Sequence, residues 1–92
     1  MKITYQEFQD AIKLFNLIGL ESKKDIKNKY LKLSQQYHPD KQNGSNEKFQ
    51  EINDAYKILE YYIDNFKFTF SQDEFQSQYP FTQKEDDQWS LW

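Results

Sequence analysis

The amino-acid sequence predicts an all-α fold, and three observations support that prediction. Apolar side chains recur every three or four residues in three separate stretches, as they do along one face of a helix. Helix-start motifs, in which a Ser or Thr precedes an acidic residue by three positions, occur at Thr4, Ser22 and Ser71. Only two glycines and two prolines interrupt the 92 residues, which favours long helices over a strand-rich sandwich.

The first helix is predicted to begin at the capping box formed by Thr4 and Glu7. Its apolar stripe consists of Phe8, Ala11, Ile12, Phe15 and Ile18. Gly19 follows this stripe and supplies a C-terminal stop. We therefore expect one face of this helix to be buried as far as Ile18.

The second helix is predicted to start at Ser22 and to stop near Tyr37, because Pro39 forbids the α conformation to His38. Its apolar stripe consists of Ile26, Tyr30, Leu33 and Tyr37. The rest of its surface is strongly basic within a chain whose formal net charge is −3. Against the single acid Asp25 it carries Lys23, Lys24, Lys27, Lys29 and Lys32.

A third helix is predicted after the loop KQNGSN, with Ser45 or Asn46 as its N-cap. Its apolar stripe consists of Phe49, Ile52, Ala55, Tyr56, Leu59 and Ile63. Because the connection is short, the second and third helices are expected to pack as an antiparallel hairpin with the first helix across it. The tip of this hairpin would carry His38, Pro39 and Asp40.

A short fourth helix is predicted after Ser71. Ser71 and Glu74 repeat the capping box, and Phe70 and Phe75 are spaced to form a hydrophobic staple across the helix start. Before it, the run Phe-Lys-Phe-Thr-Phe alternates as in a short extended segment.

The chain is expected to divide into a domain core (residues 1–64), an extension with the fourth helix (residues 65–79) and an acidic aromatic tail (residues 80–92). The tail contains three consecutive acidic residues and two tryptophans. In one interpretation it folds onto the basic second helix, with Trp89 or Trp92 as an apolar anchor, and masks that surface. In the other, its rings complete a core that is thin in so short a chain.

Several function classes are disfavoured by the residue types present. The chain has no cysteine, which removes disulfides, thiolate nucleophiles and thiolate zinc sites and favours a reducing, cytoplasmic location. His38 and Asp40 are residue types of a hydrolytic triad, but no serine is marked as a nucleophile, and one histidine is a poor ligand set for zinc. No apolar run approaches a membrane span. We expect no enzyme activity, no cofactor and no membrane segment.

The tripeptide His38-Pro39-Asp40 has two interpretations from its residues alone. It can be a helix stop in which Asp40 accepts hydrogen bonds from local amides, or a loop whose side chains meet a partner. The surroundings favour the partner, because a lysine-rich amphipathic helix precedes the tripeptide and the sequence KFQEINDAYKIL follows it.

The stretch IKNKYLKLSQQYHPDK, followed by NEKFQEINDAYKILE, resembles helix two, the His-Pro-Asp loop and helix three of DnaJ-type J-domains. The resemblance covers the chain from about Thr4 to Ile63. It implies a co-chaperone that docks on an ATP-bound heat-shock chaperone of the DnaK type and stimulates its ATP hydrolysis. Without a glycine/phenylalanine linker or a zinc-binding cysteine module, the chain looks like a minimal, class C style member. Such a member is expected to be a monomer and to recruit any client or scaffold protein by other means.

The resemblance also implies which residues meet the chaperone. They are His38, Pro39, Asp40, Lys41, Lys24, Lys27, Lys32 and Leu31. The tripeptide would contact the chaperone near the junction of its nucleotide domain and interdomain linker, and the lysines would face an acidic surface. Leu31 and Gln36 stand where relatives commonly carry basic residues, so Leu31 would add an apolar contact instead. In the alternative interpretation, each lysine is only exposed to solvent and contacts no partner.

Two other functions stay open from the sequence. One is a J-like interaction module that binds a partner without stimulating ATP hydrolysis. The other is a small helical protein that binds nucleic acid through the lysine-rich helix. An isoelectric point near 5.1, the lack of arginine and the acidic tail disfavour nucleic acid.

Overall fold

The computed structural model describes residues 2–42 and 44–79, and within them the chain forms four α-helices and no strand. The helices are α1 (Tyr5–Phe15), α2 (Lys23–Gln36), α3 (Asn46–Asp64) and α4 (Gln72–Gln78). The predicted all-α class is confirmed. Both interpretations of the tail concern residues 80–92, which lie outside the described residues.

Side-chain caps fix where the first three helices begin. Thr4 and Ser22 each form a complete capping box, in which the hydroxyl accepts an amide N–H from the first turn and an acidic side chain accepts the amide of the cap. The hydrogen bond from the Ser22 amide holds the pKa of the Asp25 carboxyl below its ordinary value. Of the two candidate caps of α3, Ser45 rather than Asn46 takes the position.

Helix α1 ends earlier than its apolar stripe predicts. Its last residue is Phe15, and Asn16 closes it in the left-handed conformation with φ of 53°. Asparagine tolerates this conformation better than most residues because its short polar side chain can bond locally. Ile18 is 88% exposed, and Gly19, with φ of 107°, belongs to the α1–α2 connection. The predicted helix end at Gly19 and the predicted burial of Ile18 are therefore wrong.

One small core joins α1, α2 and α3. Its buried members all come from the predicted stripes, and they are Ala11, Phe15, Ile26, Ile52, Ala55 and Leu59. Aromatic rings extend it, since Tyr56 stacks on Tyr30 with centroids 4.2 Å apart and on Phe15 at 6.4 Å. The Tyr30 hydroxyl hydrogen-bonds Asn53 Oδ1 at 2.8 Å. Helix α1 packs across the α2–α3 pair, mainly on α3.

Helices α2 and α3 form the predicted antiparallel hairpin, and polar contacts join both of its ends. At the open end, Lys23 Nζ of α2 lies 2.8 Å from Asp64 Oδ1 of α3, and this hydrogen-bonded pair raises the pKa of Lys23. At the closed end, the Ser45 amide donates to the Tyr37 carbonyl at 3.1 Å. The loop between these two residues consequently projects from the tip of the hairpin.

Helix α4 confirms the predicted fourth helix, and the Ser71 hydroxyl caps it by accepting the Glu74 amide at 3.1 Å. Only the reciprocal half of the predicted capping box is missing. The Glu74 carboxylate accepts the amides of Thr69 at 3.1 Å and Phe70 at 2.9 Å instead of closing a box with Ser71. These backbone donors hold the pKa of the Glu74 carboxyl below its ordinary value. They also hold Phe70 at φ of 56° with 88% of its surface exposed. The predicted staple between Phe70 and Phe75 is therefore wrong.

The fully buried Ile52, with 0% of its surface exposed, tests the assignment of the core. We expect Ile52→Ala to lower the free energy of unfolding by about 2–5 kcal/mol, because the substitution leaves a cavity in close-packed surroundings. Chemical denaturation followed by circular dichroism measures this change. Leu31→Ala, at an exposed position of α2, is the control and should change stability by less than about 0.5 kcal/mol. Equal losses in the two variants would contradict the core assignment.

Candidate functional site

The His-Pro-Asp tripeptide lies in the loop that joins α2 to α3. Tyr37 ends α2, as predicted, and the chain then leaves the helical conformation at His38. The side chain of His38 is 47% exposed and that of Asp40 is 91% exposed, while Pro39 is also exposed. A partner can therefore reach all three residues from solvent.

Two contacts orient the His38 imidazole. The Asp40 backbone N–H donates to His38 Nδ1 at 3.1 Å, and the Phe49 ring meets the imidazole edge-on at 5.2 Å. Because Nδ1 accepts a hydrogen bond, the neutral ring carries its proton on Nε2, which is then a donor. Asp40 Oδ2 lies 3.6 Å from Nδ1, but two acceptor atoms make no ion pair in this tautomer. The Asp40 carboxylate thus keeps its capacity to accept from a partner.

Backbone hydrogen bonds close the loop beneath the tripeptide. The Lys41 amide donates to the His38 carbonyl at 2.9 Å, and the Gly44 amide donates to the Lys41 carbonyl at 3.0 Å. The pyrrolidine ring of Pro39 fixes its own φ. These constraints leave the loop few alternative conformations, so less conformational entropy is lost when it binds a partner.

The backbone of this loop leaves no room for a side chain at Gly44, and the sequence alone does not show this. A Cβ atom placed on Gly44 would overlap the His38 carbonyl oxygen and would lie 3.2 Å from the Lys41 carbonyl oxygen. The overlap shows that the backbone of Gly44 packs directly against that of His38. The sequence marks Gly44 as a loop residue, whereas the contact arises because the loop folds back on itself.

The lysines of α2 fall into two groups. Lys23 and Lys29 flank the apolar stripe and reach other elements. Lys23 pairs with Asp64, and Lys29 Nζ lies 3.2 Å from the Asn16 carbonyl and 3.3 Å from the Glu21 carboxylate. The remaining lysines are exposed, form no ion pair with any described residue and are those predicted to contact a partner, namely Lys24, Lys27 and Lys32.

The other two predicted contact residues lie on the same exposed side of α2 and in the loop that follows it. Leu31 is 45% exposed on α2, and Lys41 is exposed in the loop. From Lys24 to His38 the surface extends about 20 Å along α2, at a rise of about 1.5 Å per residue. A single partner can contact the helix surface and the tripeptide together, because α2 leads directly into the loop.

Within residues 2–42 and 44–79, no group of three or more histidine, aspartate or glutamate side chains is placed to hold a metal ion. In the same part of the chain, no helix has both the length and the apolar character needed to cross a bilayer.

The part of the chain that carries this site matches a known protein family. The family model described as the DnaJ domain matches residues 10–63, more than half of the chain. The chain belongs to the DnaJ domain family. The matched part of this DnaJ domain contains α2, the tripeptide loop and nearly all of α3.

Curated relatives of this DnaJ domain carry the name chaperone protein DnaJ. The protein from Staphylococcus saprophyticus is 58% identical over 53 residues, covering 55% of this chain and 14% of the relative. The protein from Lysinibacillus sphaericus is 46% identical over 55 residues, covering 58% and 15% respectively. A Staphylococcus aureus protein is 47% identical over 50 residues, covering 49% and 13%. The matched region is thus about one seventh of each relative. No solved structure matches this chain.

Gly44→Ala tests whether Gly44 sets the backbone of the tripeptide. The added methyl group should displace the His38 carbonyl and shift the backbone amide resonances of Lys41 and Ser45, which bond to carbonyls of this loop. A ¹H–¹⁵N correlation spectrum measures these shifts. Gly19→Ala is the matched control, since nothing lies within 4 Å of a Cβ at Gly19 and its strain is local. Unchanged loop resonances in Gly44→Ala would contradict the assignment.

Proposed function

We propose that this DnaJ domain is a co-chaperone module that binds an ATP-bound heat-shock chaperone of the DnaK type and stimulates its ATP hydrolysis. The observation that carries the proposal is an exposed His-Pro-Asp tripeptide at the tip of the hairpin in a chain of the DnaJ domain family. The relatives named chaperone protein DnaJ support the same assignment.

The tripeptide supplies recognition, and the chemistry belongs to the chaperone. Asp40 accepts charge-assisted hydrogen bonds from a cationic group of the partner, with an arginine as the best match to its two oxygens. His38 donates from Nε2, and Pro39 keeps the turn rigid. Stimulation requires that the loop bind the hydrolysis-competent arrangement of the chaperone more tightly than other arrangements. Each tenfold gain in rate needs about 1.4 kcal/mol of such preference.

The surface of Lys24, Lys27 and Lys32 accelerates the encounter. Three exposed cations that are not neutralised by described residues attract an acidic partner surface over roughly one Debye length, about 8 Å at physiological ionic strength. Such attraction raises the association rate more than the final affinity. Leu31 lies between these lysines and adds an apolar contact to the same interface.

His38→Gln tests the proposed function directly. Glutamine can bring an amide donor near the position of Nε2, but it has neither the ring that contacts Phe49 nor the Nδ1 atom that accepts the Asp40 amide. The donor therefore loses its orientation, and stimulation should be lost. Single-turnover ATP hydrolysis by a DnaK-type chaperone measures the effect, with circular dichroism expected to be unchanged. Lys57→Ala, an exposed change on α3, is the control and should stimulate normally. Full stimulation by His38→Gln would contradict the proposal, and binding without stimulation by the unsubstituted chain would indicate a J-like interaction module instead.

Lys27→Glu tests the role of the lysine surface. Reversing this charge should slow association with the chaperone by up to about tenfold at low ionic strength, and the difference should shrink as salt is added. Stopped-flow association kinetics at several salt concentrations measure both effects. Lys57→Glu makes the same charge change on α3 and should slow association much less. Equal slowing by the two variants would show that net charge, rather than this surface, governs the encounter.

Leu31→Ala tests the apolar contact on α2. Full burial of a leucine contributes about 1.5–3 kcal/mol, and docking can bury only the 45% of Leu31 that is exposed. The contact therefore contributes about 0.7–1.4 kcal/mol, so the variant should bind the chaperone roughly three- to tenfold more weakly. Isothermal titration gives the affinity, and the ATPase assay gives the stimulation. Unchanged binding and unchanged stimulation would show that Leu31 stays outside the interface.

A further inference from the structure

An aromatic strip, formed by Phe8, Tyr62, Phe66, Phe68 and Phe70, runs from the α1–α3 contact out onto the surface. Successive ring centroids along it lie 4.6, 5.8, 5.1 and 5.9 Å apart. Exposure increases toward its outer end, from 41% at Phe66 to 63% at Phe68 and 88% at Phe70. Contiguous exposed rings of this kind on a small domain mark an interaction surface.

The strip borders an open groove of about 640 Å³. Leu17 and Leu20 of the α1–α2 connection also line the groove, and the buried Ile26 and Leu59 lie at its base. Leu20 is 70% exposed and Phe68 is 63% exposed, and both line the groove. A groove of this size with apolar walls accommodates a few large apolar side chains.

The groove lies at the end of the hairpin opposite the tripeptide. Ser22 at the start of α2 and Ile63 near the end of α3 both line it, whereas His38 follows the other end of α2. An occupant of the groove therefore leaves the tripeptide accessible. The proposed chaperone contacts give this groove no role.

The chain itself carries a suitable occupant. Gln78, the last residue of α4, lines the groove, so the chain passes beside it before the tail begins. The tail (residues 80–92) contains the large apolar residues Phe81, Trp89, Leu91 and Trp92. Fully extended, it reaches about 40 Å at roughly 3.3 Å per residue. Its tether also gives it a local concentration in the millimolar range, so modest contacts suffice for docking.

We propose that the tail docks in this groove, with Trp89 or Trp92 packed against Phe66 and Phe68 of the aromatic strip. The competing location is the basic surface of α2, where the acidic residues of the tail would meet lysines. Exposed ion pairs contribute little to stability, whereas an indole ring buried among aromatic and aliphatic side chains removes a large apolar area from water. The groove is therefore the favoured location.

Tryptophan fluorescence tests this proposal, because Trp89 and Trp92 are the only tryptophans in the sequence. The emission maximum of the full chain should lie at shorter wavelength than in denaturant, and this shift should be lost in Phe68→Ser. Phe68 is 63% exposed, so the variant should keep its helices, and circular dichroism checks that it does. Leu31→Ser, an exposed apolar residue on the basic surface of α2, is the matched control and should keep the shift.

Three outcomes would overturn the proposal. Emission at the wavelength found in denaturant would show that neither indole is buried. A shift lost in Leu31→Ser and kept in Phe68→Ser would place the tail on α2. A shift that disappears on dilution would show that the groove is filled by a second copy of the chain. The measurement uses no chaperone, so its result is independent of the proposed function.

Discussion

The backbone hydrogen bond from Ser45 to the Tyr37 carbonyl joins the N-cap of α3 to the C-cap of α2 across the loop that carries the tripeptide. With Gly44 packed against the His38 carbonyl, this closure leaves no room for the tripeptide to fold inward. Pro39 and Asp40 consequently face solvent although the loop is short. The same closure sets Phe49, in the first turns of α3, against the imidazole of His38.

Helix α2 packs in the core and also presents exposed lysines, because its apolar and basic residues lie on opposite faces along its length. Its apolar stripe packs on α1 and α3. Of the flanking lysines, Lys23 pairs with Asp64 at the end of α3, and Lys29 donates to the carbonyl of Asn16 at the end of α1. The lysines on the opposite side form no ion pair with a described residue, so this side is available to the proposed partner. A helix held by its core stripe tolerates this density of like charge, since exposed cations repel each other only weakly in water.

Local signals predict most of the fold, and contacts between distant residues account for what they miss. Capping motifs at Thr4 and Ser22 and the apolar stripes depend on neighbours a few residues apart, so the helix starts and the buried core could be predicted. The early end of α1 at Asn16 could not, because Ile18 continues the apolar stripe and Gly19 is the residue type that most often ends a helix. The contact of Gly44 with His38 depends on how the loop closes, which periodicity does not encode. The tripeptide was recognisable because its neighbours on both sides match the family.

The central claim is that the tripeptide loop is already rigid and exposed in the isolated protein. Backbone ¹⁵N relaxation of the Asp40, Lys41 and Gly44 amides tests it most directly, because each of these amides donates a hydrogen bond within the loop. Order parameters near 0.85, as in a rigid backbone, are the predicted result. Values below about 0.6 at these amides would contradict the account, since the loop would then become ordered only on binding.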